Sequence, residues 1–226
     1  LASARSAELR RTMVDRQLRT FDVTNVDVLE AVLMTPREPF LNGELDSLVY
    51  SDANLVARSD GTSRPLIAPM FVARALQLAE ILPHETVLDV AGGAGYSAAI
   101  AARLCRSVVA LENDQAFVAR AGQAFQELGL ANASAVMGDL GAGPAGDARF
   151  DVILINGAIA KRPEALLARL TVGGRLLAVE AGDSGARAGS RFMLYSRSGA
   201  SVGSRVLFGA SAEILPAFAA PQEFVF

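Results

Sequence analysis

Residues 87–97 read Val-Leu-Asp-Val-Ala-Gly-Gly-Ala-Gly-Tyr-Ser. An apolar run ends, Gly92, Gly93 and Gly95 follow, and a helix-forming stretch begins. That order predicts a buried strand, a tight turn and a helix start. Backbone N–H groups at such a start can hold a ligand, and the missing Cβ atoms let it come close. Glycine-rich turns also serve close packing alone, so this loop needs company before it marks a site.

The company is acidic. Glu112 ends a predicted strand 19 residues after Gly93, where an acid can accept both ribose hydroxyls of a nucleoside. A solvated strand end would read the same way. Gly138-Asp139-Leu140 follows the next strand. There Asp139 can accept from an adenine amino group or simply hold a turn. Asp89, near the end of the first strand, separates the cofactor classes. An anion there is unfavourable beside a pyrophosphate and favourable beside an ammonium group. The set therefore favours S-adenosyl-L-methionine over NAD. The alternative for Asp89 is a hydrogen-bonded structural carboxylate.

Working outward, strand candidates lie at 86–91, 107–112, 133–137, 150–155 and 174–180, with helices at about 95–104, 114–128 and 163–170. The strands are apolar runs without alternation, which means burial on both faces and a parallel sheet between helices. Two more, 191–197 and 204–208, flank a glycine-rich turn (Ser198 to Gly203) and predict an antiparallel hairpin at the sheet edge. The Gly/Ala/Ser segment 181–190 reads as a mobile loop. Upstream, 6–19 and 25–34 read as amphipathic helices, the second capped at Thr24 or Asn25. Pro36 to Phe40 breaks the pattern, and 41–68 reads as a long irregular stretch. Pro69 suits the first turn of a helix running to about Leu82.

Composition limits the chemistry. The 226 residues hold one His and one Cys. That excludes an internal disulfide and a Cys/His zinc site, and no metal is expected. His84 reads as surface and Cys105 as core. The net charge of −3, with no basic block, argues against nucleic acid as a partner. No apolar run approaches the length of a membrane span, and the N-terminus lacks the apolar core of a signal peptide. A cytoplasmic protein with no membrane partner is the expectation.

Across most of its length the chain resembles the protein-L-isoaspartate O-methyltransferases. The resemblance rests on Met13 to Leu18, Val28 to Val32, Pro36 to Phe40, Leu48 to Leu55, Pro69 to Leu76, Val87 to Ala99, Phe150 to Ala158 and Leu170 to Val179. It implies an α/β fold: a doubly wound, mostly parallel seven-stranded sheet of the S-adenosylmethionine-dependent methyltransferase type, with a reversed final strand and an N-terminal helical extension. The division expected is a helical and substrate-loop region over 1–68 and a Rossmann-like domain over 69–226. It also implies that Asp89, Ala91, Gly92, Gly93, Gly95, Tyr96, Glu112, Asn113, Asp139, Leu140 and Asn156 surround the cofactor, and that the partner is a protein or peptide bearing an isoaspartyl carboxylate.

Two departures stand out. The family carries Thr-x-Ser-x-Pro before the helix that starts here at Pro69, and its hydroxyls help hold the substrate carboxyl. In the ungapped register those positions are Pro65 and Ile67, and neither has a hydroxyl. Ala91-Gly92 also replaces the family's usual Gly followed by a small polar residue. The polar groups left near the acceptor are Thr62, Ser63 and Arg64, and Arg64 can hold a carboxylate bidentately. Ser63, Arg64 and Ile67 are thus the candidate catalytic residues, on the acceptor side. Two other readings stay open: a methyltransferase-like protein with another acceptor or no catalysis, and an NAD-dependent oxidoreductase, which fits the glycine loop but not Asp89.

Overall fold

The computed structural model describes residues 4–41, 48–59, 62–182 and 189–220. The sheet explains the apolar runs. Along β3 (Thr86–Val90), Val87 packs toward one face while Leu88 and Val90 pack toward the other, and all three are fully buried. Successive strand side chains point to opposite faces, so a strand covered on both sides reads as a nearly continuous apolar run, broken in β3 by the buried Asp89. β4 (Ser107–Glu112), β6 (Phe150–Ile159) and β7 (Leu170–Glu180) follow the same rule, with β5 (Ala133–Met137) at the edge.

The seven strands are ordered β5-β4-β3-β6-β7-β8-β9, and the first five are mutually parallel. β8 (Arg191–Ser198) runs antiparallel to β7, and β9 (Ser201–Gly209) antiparallel to β8. The reversed strand is therefore the sixth in the sheet and not, as expected, the last. Residues 181–190 are too few for the crossover of about a dozen residues that a parallel partner needs, so β8 enters reversed. The tight turn at Gly199 (φ +60°) then restores the original direction in β9. The predicted mobile loop falls mostly on 183–188, outside the described residues.

Helices α1 (Ala4–Met13), α2 (Val26–Leu33), α3 (Pro69–Ala79), α4 (Tyr96–Ala101) and α5 (Gln115–Glu127) share one core with the Val87 face. The other face is covered by Leu140, by Leu166 and Leu167 of α6 (Glu164–Ala168), and by Leu215 and Phe218. The first helix is longer than its pattern predicts, because π-helical and 3-10 turns carry it on to Phe21. Asn25 caps α2, its side chain accepting from the Val28 N–H at 3.0 Å. α3 stops short of Leu82, at Glu80 in a left-handed conformation (φ +50°).

The stretch 41–68 is not irregular throughout. β1 (Leu55–Ser59) and β2 (Thr62–Leu66) form a two-stranded antiparallel sheet of their own, with Leu55 opposite Leu66 and Ala57 opposite Arg64. Alternation along β2 turns Arg64 and Leu66 inward and leaves Ser63 exposed. This hairpin lies over the glycine turn: a Cβ on Gly93 would stand 3.1 Å from Leu66 Cδ2 and 3.4 Å from Arg64 Cγ.

Candidate active site

β3 and β4 lie side by side and end together, so the two strands carry Asp89 and Glu112 to one end of the sheet. Between them the chain turns through Ala91 (φ +60°), Gly93 (φ +63°) and Gly95 (φ +89°) into α4. At Gly92 the need for glycine is steric, since a Cβ there would fall 2.4 Å from Asp89 Oδ2. Ala91 holds a left-handed conformation with a side chain, which L residues rarely adopt.

Asp89 is fully buried. Ser97 Oγ donates to Oδ2 at 2.9 Å and Asn156 Nδ2 to Oδ1 at 2.8 Å. Both donors are neutral, so burial wins and pushes the Asp89 carboxyl up to about 6, against the pull of Asn156 and Ser97. Glu112 is nearly as buried but differently held. The Gly93 N–H donates to its Oε1 at 2.7 Å. Arg64 donates bidentately, Nε to Oε1 at 3.0 Å and Nη2 to Oε2 at 2.7 Å, and Nη2 also reaches Asn113 Oδ1 at 2.6 Å. Arg64 was expected as a loop donor for a substrate carboxylate. The structure instead pairs it, from inside a strand, with the chain's own Glu112.

The other predicted residues divide. Tyr96 opens α4, buried beneath the Arg37 guanidinium, whose carbon lies 5.0 Å from the ring centre. Burial pushes its hydroxyl up to about 12. Ile67 lines the same cavity as Gly92, Tyr96, Ser97 and Asn156. Leu140 is buried in the opposite core. Asp139 is exposed and closes a turn, its Oδ1 accepting from the Gly141 and Ala142 N–H groups at 2.7 and 2.9 Å. Exposed Ser63 stands apart from the cluster. Ser97 and Arg37 join the site without being marked as site residues by any motif in the sequence. A Ser eight residues after Asp89 carries no local signal, while a lone Arg between Pro36 and Phe40 is the one clue to a buried charge.

Two buried acids at neighbouring strand ends, a glycine turn between them and a flanking turn acid suit a nucleoside that carries an ammonium group. This set of acceptors fits S-adenosylmethionine in kind. Space is restricted: the cavity beside Asp89 holds about 20 Å³, against several hundred for a site of that ligand size, and Arg64 holds both Glu112 oxygens.

The fold and this acid pair define a Rossmann-like methyltransferase. Solved structures agree on the fold. A protein-L-isoaspartate O-methyltransferase superposes with TM-score 0.79 at 24% identity, covering 91% of this chain and 65% of that one. A Plasmodium falciparum β-aspartate methyltransferase structure, in complex with S-adenosyl-L-homocysteine, gives 0.73 at 18% identity, covering 92% and 98%. The sequence is more particular. The family model for protein-L-isoaspartate(D-aspartate) O-methyltransferase matches residues 9–192. The protein of that name from Koribacter versatilis is 36% identical over 168 residues, 74% of each chain. That from a Ruegeria species is 36% identical over 170 residues, 75% of this chain and 77% of its own. The chain belongs to the protein-L-isoaspartate O-methyltransferase family.

Proposed function

We propose that this protein methylates the free carboxylate of isoaspartyl residues in peptides, with S-adenosylmethionine as donor. The observation that carries the reading is the pair Asp89 and Glu112 at the ends of adjacent parallel strands, on either side of the glycine turn. When bound, the cofactor supplies an electrophilic methyl group. Asp89 holds the cofactor's ammonium and Glu112 its ribose hydroxyls. Arg64 has to leave Glu112 for that seat to open.

The acceptor is already an anion at neutral pH, so no side chain has to remove a proton. Positioning and exclusion of water then carry the rate, and good orientation is worth about 7–11 kcal/mol. The chain suits this. Its single His is exposed, before β3 and so at the far end of that strand from the glycine turn, and the buried Cys105 thiol is pushed up to about 12 by burial. No helix among the described residues is long and apolar enough to cross a membrane. A cytoplasmic setting suits a lone unpaired thiol.

Calorimetry with S-adenosylhomocysteine and transfer of labelled methyl to an isoaspartyl peptide test the reading. Binding and transfer are expected. Binding without transfer to any such peptide would leave the cofactor and remove the acceptor. That second reading has its own support, because Ile67 brings no hydroxyl to the cavity.

A further inference from the structure

Arg37 is 2% exposed, at the turn into the short 3-10 segment Glu38–Phe40. Its Nη1 donates to the Val49 carbonyl at 2.6 Å. Its Nε is buried and has no partner among the described residues. No carboxylate there comes within ion-pair distance of it. The neighbouring Glu38 accepts from the Tyr50 hydroxyl at 2.8 Å instead. A guanidinium taken out of water without an anion is among the costliest things a core can hold. Burial lowers its proton affinity from the ordinary value, while Tyr96, Tyr50 and Glu38 pull the other way.

The hydroxyl of Tyr96, whose ring the guanidinium covers, is likewise buried and has no partner among the described residues. Both side chains line the cavity bordered by Ile67, Ser97 and Asn156. A buried positive charge and two polar groups without a partner among the described residues, Arg37 Nε and the Tyr96 hydroxyl, thus belong to side chains that line a space of about 20 Å³, which suits a carboxylate head. Ser97 and Asn156 also hold Asp89, so the cavity adjoins the proposed ammonium seat.

We propose that Arg37 and Tyr96 form a carboxylate-binding seat in this active site, replacing the hydroxyl that Ile67 lacks. The proposal rests on the methyltransferase reading for its occupant. Two sources share the chemistry: the α-carboxylate of the cofactor's methionyl end and the carboxylate of the acceptor.

The test uses Tyr96→Phe, which keeps the ring beneath Arg37, and Arg37→Lys. Tyr96→Phe removes an unpaired hydroxyl and is expected to melt no lower than the parent. Formate at 100 mM, against chloride at equal ionic strength, is expected to raise the parent Tm by about 2 °C, and Tyr96→Phe to lose the rise. If the seat takes the cofactor's carboxylate, both variants bind S-adenosylhomocysteine about tenfold more weakly and its decarboxylated analogue unchanged. If it takes the acceptor's, cofactor binding holds and the peptide KM rises about tenfold. A formate effect lost in the variants of a protein that binds no S-adenosylhomocysteine would keep the seat and remove the methyltransferase reading. No formate effect, with both variants matching the parent in cofactor binding and peptide KM, would overturn the proposal.

Discussion

Arg37 and Arg64 are both buried arginines from the N-terminal third, 2% and 3% exposed, and each reaches into the active site. Their surroundings are opposite. Arg64 meets a carboxylate: its Nε and Nη2 donate to Glu112 and Asn113, all supplied by the chain. Arg37 has the Val49 carbonyl and an aromatic face, and its Nε has no partner among the described residues. Burying a guanidinium costs several kcal/mol in either case. At Arg64 the fold returns that cost itself, and the result is a closed seat. At Arg37 the described residues do not offset that cost, and the result proposed is a seat for a ligand carboxylate. The satisfied charge marks where a ligand must displace protein. The unsatisfied one marks where a ligand completes it.

The sharpest way to break this comparison is Arg64→Ala. Removing one partner of a buried ion pair leaves the other unpaired, so urea unfolding is expected to show a loss of about 3 kcal/mol. The same change frees the Glu112 oxygens, and S-adenosylhomocysteine is expected to bind about tenfold more tightly once the competing closed state is gone. A loss of stability with weaker binding would mean that Arg64 supports the nucleoside site instead of competing for it.

Asp89 sharpens the same contrast from the acidic side, because among the described residues its side-chain partners are the neutral Ser97 and Asn156. Its carboxyl titrates at about 6 when folded, against about 3.9 for an unfolded aspartate. The folded state therefore binds more protons between those values, and stability falls as pH rises through that window. At about 1.4 kcal/mol per unit the fall is about 3 kcal/mol, and Asp89→Asn is expected to abolish it. Cofactor binding runs the other way. An ammonium group needs the ionised form, so affinity for S-adenosylhomocysteine is expected to drop about tenfold per pH unit below about 6. A binding curve flat from pH 5 to 8 would take Asp89 out of the ammonium seat.

Ile67→Ser tests how much of the acceptor's anchoring Arg37 and Tyr96 already supply. The hydroxyl would enter their cavity, and the lost methyl groups cost about 2 kcal/mol of stability. If the arginine seat holds the carboxylate, kcat/KM on an isoaspartyl peptide is expected to rise by no more than about threefold. A gain of a hundredfold would return the role to the missing hydroxyl. Pro65, the other departure, lies in β2 opposite Val56 and next to the inward-facing Arg64.

Much of this arrangement was legible in the sequence because it is local. Val87, Leu88 and Val90 show a doubly covered strand by being apolar without alternation, with Asp89 the one polar residue among them, and the glycine turn and Glu112 follow at a spacing set by one strand-helix-strand unit. The hairpin 55–66 was not legible. Its inward residues include an arginine, and a proline interrupts it; only Glu112, 48 residues away, makes that arginine an interior residue. The same holds for Arg37, whose aromatic partner is Tyr96. Sequence patterns report burial paid in apolar surface, and both arginines are buried on other terms. Chain direction in β8 failed for a different reason: a hairpin signal fixes the relation of two strands and not which of them is reversed.

Ala91 gives the smallest expected effect and bears on how Glu112 is held. It sits at φ +60° immediately after β3, with its N–H donating to the Leu111 carbonyl at 3.0 Å. A Cβ in the left-handed region costs about 1–2 kcal/mol, and glycine removes that cost at the price of a more flexible unfolded chain. Ala91→Gly is therefore expected to stabilise the fold by about 1 kcal/mol in urea unfolding. The turn it relaxes also aims the Gly93 N–H at Glu112. If the strain serves only packing, cofactor affinity stays unchanged as stability rises. If it holds that N–H on the carboxylate, Ala91→Gly weakens S-adenosylhomocysteine binding while the fold gains, and the glycine turn joins Arg64 as a determinant of the Glu112 seat.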